Sequence, residues 1–352
     1  MLPYWLLFAF FALGAMVAQP GLKPGRPLGI LAFGALLLIV MIGLRDRVGV
    51  DWVNYLRAWQ VAGTRSLGDF LDFSSGDPVF YTILWALRSL DWPFWTFNLL
   101  FSIPFVWGLV KFSRQQPNPW LAISIAVPYL VIVIAMSTTR QATAIGFVFL
   151  ALVEFKRDNK LGFLLYVLVA ALFHSSAIVV LPFAGLSLAK NRFQSAGLIL
   201  LTTIAAYFTF GSTFGEYTKD YFGRNAVTSS GTIYRILMNI VPASIYFWSM
   251  RRLPLSNEER ILWRNFSLLA FISVPLLLVI QSSTALDRLL LYAFPLQIMM
   301  LSWTPYLFKG RVQQIGVILL IVIYLALQQF VFFSYALNAY AHIPYRNYIF
   351  GG

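Results

Sequence analysis

The chain has 352 residues, 59% of them hydrophobic and only 11% charged. A soluble domain carries roughly a quarter charged residues, so the polar surface here is too small to cover a water-soluble globule. That excludes a soluble enzyme, a disordered chain and a secreted disulfide scaffold. At roughly 20 residues per span, the length suits about 10–13 membrane helices. Cysteine is absent and histidine occurs only at His174 and His342, which removes disulfides, thiol catalysis and thiolate metal sites. Two histidines are also too few for a histidine-built metal centre, so neither metal nor cofactor is expected. The net charge of +13, from 26 basic and 13 acidic residues, would point to nucleic acid in a soluble protein. In a polytopic protein, cytoplasmic loops collect Lys and Arg, and no nucleic-acid partner is implied.

Apolar runs fall near 2–18, 28–44, 94–110, 119–136, 138–155, 161–173, 175–189, 195–210, 233–250, 262–281, 285–304 and 315–335. They predict an all-α polytopic membrane protein of about 12 transmembrane helices. The run 78–90 follows Asp77-Pro78, which reads as an N-cap with proline at the first helical position. Its 13 residues are short for a span, so it is expected to be re-entrant or interfacial. If 78–90 does not cross, every short basic cluster shares the side of Lys23 and Arg26: Lys111/Arg114, Lys156/Arg157/Lys160, Lys190/Arg192, Arg251/Arg252/Arg260/Arg264 and Lys309/Arg311. If it crosses, the clusters fall on opposite sides. The orientation rule therefore favours both termini outside. The N-terminus lacks a basic leader region, so 2–18 is expected to stay as an anchor. No repeat or linker divides the chain. It reads as one membrane domain, 1–352, with outer loops 45–93 and 211–232 and an outer tail from about 336.

Eleven basic residues then remain on the outer side, where orientation gives no reason for them: Arg45, Arg47, Arg57, Arg65, Arg88, Arg140, Lys219, Arg224, Arg235, Arg288 and Arg346. Arginine dominates, and its planar guanidinium grips phosphate or carboxylate with two prongs, which lysine cannot copy. Arg65, Arg88 and Arg235 are read as reaching to lipid headgroups. The densest stretch runs from Gly43 through Arg45, Arg47, Gly49, Asp51 and Tyr55 to Arg57. Gly43 and Gly49 would let backbone and ligand come close. From Asp51 the spacing predicts a helix, with Asp51, Tyr55 and Trp59 on one face. Asp51 has two readings: a helix cap, or a carboxylate that takes a proton from a sugar hydroxyl.

Arg140 follows Ser137-Thr138-Thr139 at the outer start of a span, where a charge is costly and usually faces a cavity. His174 sits at a tight outer turn, where a structural hydrogen-bonder is commoner than a catalyst. Asp287-Arg288 could pair locally, with Tyr292 one turn further on. The tail His342-Ile343-Pro344-Tyr345-Arg346 could be a disordered end or a flap over the outer cavity. Topology places all of these on one face. An arginine-rich cavity with a carboxylate and aromatics fits a lipid-linked phosphate or diphosphate, and aromatic rings also stack on sugars.

Several of these runs, in order, resemble the EpsG family of exopolysaccharide-synthesis membrane proteins. They are Gly43-Leu44-Arg45 with Val48-Gly49-Val50-Asp51 and Tyr55, Ser137-Thr138-Thr139-Arg140-Gln141, and Phe173-His174-Ser175-Ser176-Ala177. Arg288 with Tyr292 and Pro344-Tyr345 complete the set. The resemblance implies a Wzy-like polymerase or glycosyltransferase of the bacterial inner membrane, working at the periplasmic face on undecaprenyl-diphosphate-linked oligosaccharides. Membrane lipid, a chain-length regulator and export proteins are the partners that would go with it. For that chemistry the residues offer Asp51 as general base with His174 in support. Arg45, Arg47, Tyr55, Arg57, Arg140, Arg288, Tyr292 and Tyr345 would hold the diphosphate and glycan. A flippase of the same lipid-linked glycan is one alternative, although transporters often show internal repeats and midplane sites. A membrane acyltransferase using His174 is the other.

Overall fold

A computed structural model of the chain describes residues 1–18, 28–74, 77–182, 185, 197, 232–279 and 290–350. Among them the protein is all-helical; an isolated antiparallel bridge between Arg45 and Asn347 stands outside the helices. The contacts group into two compact units, Met1–His174 with Arg311–Gly352, and Ser175–Gly310.

The first unit contains α1 (Leu2–Val17), α2 (Leu28–Gly43), α3 (Trp52–Ala62), α4 (Leu67–Ser74), α5 (Pro78–Ser89), α6 (Phe94–Ser113) and α7 (Pro119–Ala126). A π-helical stretch, Val127–Ala135, continues α7, and α8 (Thr139–Lys156) and α9 (Lys160–Phe173) follow. The expected apolar runs therefore form helices close to where periodicity puts them. The change to π geometry at Pro128, which has no N–H to continue the α pattern, is not visible in hydropathy. The helices α6 and α8 lie against each other at two glycines. A Cβ on Gly108 would come within 2.0 Å of the Gly146 carbonyl oxygen, so only glycine lets the backbones approach so closely, as small residues do in membrane bundles.

The segment 45–93, expected as an outer loop, is folded. Its helices α3, α4 and α5 share a core of Tyr55, Trp59, Phe70, Phe80, Leu84 and Leu87 with Phe97 and Phe101 of α6. On α5 the buried residues Phe80, Leu84 and Leu87 recur at helical spacing, so one face is committed to this core. The unit has two distinct ends. At one, Gln115 Nε2 donates to Val153 O at 3.5 Å and Asn118 Nδ2 donates to Ala15 O at 2.9 Å. This end carries Lys111, Arg114, Lys156, Arg157 and Lys160. The other end gathers the close of α2, the starts of α3, α5 and α8, and the close of α9.

The same unit is completed by a helix at Arg311–Tyr335 and a tail of short 3-10 turns, Leu337–His342 and Tyr348–Phe350. The long helix and α6 are long and apolar enough to cross a membrane; α1, α2, α7 with its π continuation, and α9 are apolar but shorter. The second unit comprises α10 (Thr232–Ser249), α11 (Asn257–Val279) and α12 (Phe294–Trp303), and the Arg311–Tyr335 helix is numbered α13. A capping box starts α11: Ser256 Oγ accepts from Glu259 N at 3.1 Å while Glu259 Oε2 accepts from Ser256 N at 2.9 Å. Arg288, Asp287, residues 211–231 of the 211–232 loop, the 195–210 run apart from residue 197 and much of the 175–189 run lie outside the described residues.

Candidate functional site

The run Ser137-Thr138-Thr139-Arg140 is where three distant segments of the first unit meet. Ser137 Oγ accepts from Val50 N at 3.3 Å and lies 3.2 Å from His342 Nε2. Thr139 Oγ1 accepts from Arg45 Nη2 at 2.9 Å. Arg140 Nη1 donates to Asp77 Oδ2 at 3.0 Å. One short turn thus joins the loop after α2, the C-terminal tail and the start of α5.

The Asp77-Pro78 pair reads in sequence as a helix cap. Its backbone has φ 43°, ψ 59°, and its side chain makes no cap hydrogen bond. That left-handed conformation is one that aspartate tolerates better than most residues. Its carboxylate accepts from Arg140, and the same Oδ2 lies 3.1 Å from His174 Nδ1. The side chain is only 5% exposed, so a charge there needs such partners. His174 is held from behind: Phe173, its neighbour at the end of α9, lies 5.9 Å from Phe101 and 5.3 Å from Phe147, ring to ring.

Helix dipoles sharpen the arrangement. Asp77 lies at the N-terminus of α5, where an anion is favoured, and His174 at the C-terminus of α9, where a cation is favoured. Arg140 opposes its own helix, since it sits in the first turn of α8. A guanidinium added to a helix N-terminus concentrates positive potential at one point, which suits an anion. The Arg140 guanidinium lies 5.7 Å from the Phe80 ring centre and 5.5 Å from that of Tyr81, and its side chain is 30% exposed.

The structure brings Tyr55, Arg140 and His174 together and adds Asp77. Tyr55 is buried; burial pushes its hydroxyl up to about 12, Asp51 pushes in the same direction, and the Arg140 guanidinium beside it pulls back. Asp51 precedes α3 without a side-chain cap bond and is half-buried. Its charge reaches both Tyr55 and Tyr81. Arg57 is exposed on α3, and Arg47 is exposed with a 3.8 Å approach to Asp46. Tyr292 belongs to the second unit, where its hydroxyl is 3.1 Å from Ser176 Oγ.

Arg45 and Tyr345 form another layer. Arg45 is 0% exposed. Its Nε donates to Val48 O at 3.2 Å, its Nη1 to Ile42 O and its Nη2 to Thr139. Burial lowers its pKa to about 10, so it stays charged at neutral pH while its side chain braces backbone. Tyr345 donates to Met41 O at 3.0 Å, and Asn347 Nδ2 donates to Val40 O at 3.2 Å. The tail is therefore folded against the end of α2 and is not a disordered end. Gly49 also serves the chain itself. With φ 104° and Met136 O only 1.8 Å from where its Cβ would stand, it admits backbone.

Sequence reasoning missed Asp77 as a site residue. The signal was present: an aspartate before proline, followed at once by the aromatic pair Phe80 and Tyr81, in a loop already rich in arginine.

The motif residues that converge here lie inside a match to the EpsG family over residues 30–347. The chain belongs to the EpsG family. It is accordingly a membrane protein of polysaccharide biosynthesis. No curated protein matches the chain.

Proposed function

We propose that this EpsG-family protein is a metal-independent polysaccharide polymerase. It would join undecaprenyl-diphosphate-linked oligosaccharides at the periplasmic face of the bacterial inner membrane, with about twelve spans. The observation that carries the reading is the contact of Arg140 and His174 with one buried carboxylate oxygen at a single helix-end cluster. A lipid diphosphate is already a good leaving group, so the enzyme mainly needs to stabilise its developing negative charge. Arg140 and the N-terminus of α8 supply positive potential at one place. The exposed Arg47 and Arg57 extend it, and Tyr81 offers a ring for a sugar face. Arg45, Tyr55 and Tyr345 serve it as scaffold: the first and last brace backbone, and Tyr55 sits beside Arg140.

A base must accept the proton of the attacking hydroxyl, and Asp51 and His174 both stand at helix ends suited to it. Chain-length control and export proteins are the proposed partners. A carboxylate–histidine pair would also serve acyl transfer, and this contact favours that as the second reading. Purified protein given a lipid-linked repeat unit should produce a ladder of polymer. Acyl transfer without any ladder would reverse the order of the two readings.

A further inference from the structure

We propose that Asp77 is the positioning residue of the reaction: it holds His174 as the Nδ1–H tautomer and so makes His174 Nε2 the base. The proposal rests on reading this cluster as a glycosyl-transfer site.

Arg140 donates to Asp77 Oδ2 at 3.0 Å, and an arginine partner keeps a carboxylate ionised. An ionised carboxylate can only accept. The 3.1 Å contact from the same oxygen to His174 Nδ1 then requires the proton to be on Nδ1. In the neutral ring Nε2 must carry the lone pair, and no described residue bonds it. His174 is 13% exposed on its side chain, so Nε2 has a route to a ligand that Asp77, almost fully enclosed, lacks. Arginine and histidine on one oxygen also explain why α5 begins in a left-handed turn: the side chain is aimed at α8 and α9 instead of at its own helix.

The step balances simply. Nε2 takes the proton of the acceptor sugar hydroxyl while that oxygen bonds to the donor's anomeric carbon. The bond from that carbon to the diphosphate oxygen breaks, and its electron pair leaves with the lipid diphosphate. The imidazolium formed is stabilised by Asp77 and by the C-terminus of α9. It then releases its proton to water.

The chain has two histidines, which makes the decisive measurement direct. Nitrogen NMR of histidine-labelled full-length protein in lipid nanodiscs, assigned by the signal lost in His174→Gln, should show His174 as Nδ1–H. Free imidazole prefers the other tautomer, and finding Nε2–H in the native protein would overturn the proposal with no variant needed. Asp77→Asn should lower kcat by about 100-fold or more with little change in KM, as when an orienting carboxylate becomes an amide. Asp77→Glu should recover part of it. Among the described residues, Asp77 is the charged group that meets the ring, and Asp77 is in turn paired with Arg140 on α8. A folded Asp77→Asn protein with full kcat counts against the proposal. Native protein inert towards lipid-linked oligosaccharide counts instead against the glycosyl-transfer reading, whichever tautomer is found.

Discussion

Arg140 and His174 share a single oxygen of Asp77, at 3.0 and 3.1 Å, and so tie the start of α8 to the end of α9 through the start of α5. Three helix ends are fixed by one carboxylate. Breaking either contact leaves the same group short of a partner, so the two residues are coupled through it.

Arg140→Lys keeps the charge but loses the planar fork. An ammonium can pair with Asp77 or face a diphosphate, and it does both poorly. Polymer output should fall by at least about tenfold, with thermal stability nearly unchanged. Arg140→Ala should also unfold more easily, since removing one partner of a buried pair costs about 3 kcal/mol. Normal output from Arg140→Lys would remove this residue from the diphosphate site.

Arg45→Lys separates scaffold from ligand. The guanidinium serves Ile42 O, Val48 O and Thr139 Oγ1 from three nitrogens in a fully buried position. A single ammonium cannot span all three, and each buried acceptor left open costs about 1–3 kcal/mol. Melting of the purified protein should drop, and activity per folded molecule should hold. A stable variant without activity would return Arg45 to the substrate.

The helices around this layer were legible because apolar periodicity and bounding charges are local signals, and α3 and α5 follow from Asp51 and Asp77-Pro78 in the same way. The use of each polar residue was less so. From sequence, Arg45 and Arg140 are equivalent outer arginines; only the tertiary packing of Thr139, Val48 and the tail encloses one and leaves the other open. The tail has no core-forming pattern, since it is held by backbone bonds such as Gly49 N to Ala341 O at 2.7 Å, which composition does not encode. Asp77 was hidden by the commoner fate of aspartate before proline. The shift of its side chain away from the helix depends on partners 63 and 97 residues away.

Gly49→Ala should be among the most damaging small changes. The new methyl would meet Met136 O at 1.8 Å with φ at 104°. Strain of this kind costs about 1–3 kcal/mol even without the clash. Gly316 in α13 has nothing within 4 Å of an added Cβ, so Gly316→Ala should be neutral or slightly stabilising. Equal melting temperatures for the two variants would contradict the close approach of the 49 and 136 backbones.

Topology is open to a direct check because the chain contains no cysteine. Gln60 is exposed on α3, and Gln60→Cys should react with a membrane-impermeant thiol reagent added to the periplasmic side. Lys111→Cys, at the opposite end of the unit, should react only after the membrane is opened. Reversed labelling would move the whole site to the cytoplasmic face.

The tail should release in mild acid. His342 is fully enclosed; its Nδ1 donates to Asn338 O at 3.2 Å, and its Nε2 faces Ser137 Oγ at 3.2 Å. Burial lowers its pKa from 6.5 to about 4, with the Arg45 charge pressing the same way against its backbone hydrogen bonds. The folded protein therefore holds the ring neutral while the unfolded chain protonates near 6.5. Stability from this group is complete above about 6.5, falls as pH drops, and is gone near 4, a swing of about 2–4 kcal/mol. Thermal melting of wild-type protein across that window should fall more steeply than that of His342→Gln, which cannot take the proton. Protease cutting within 337–350 should rise over the same range in wild-type protein alone. Parallel curves for the two proteins would mean that His342 does not stay neutral in the fold.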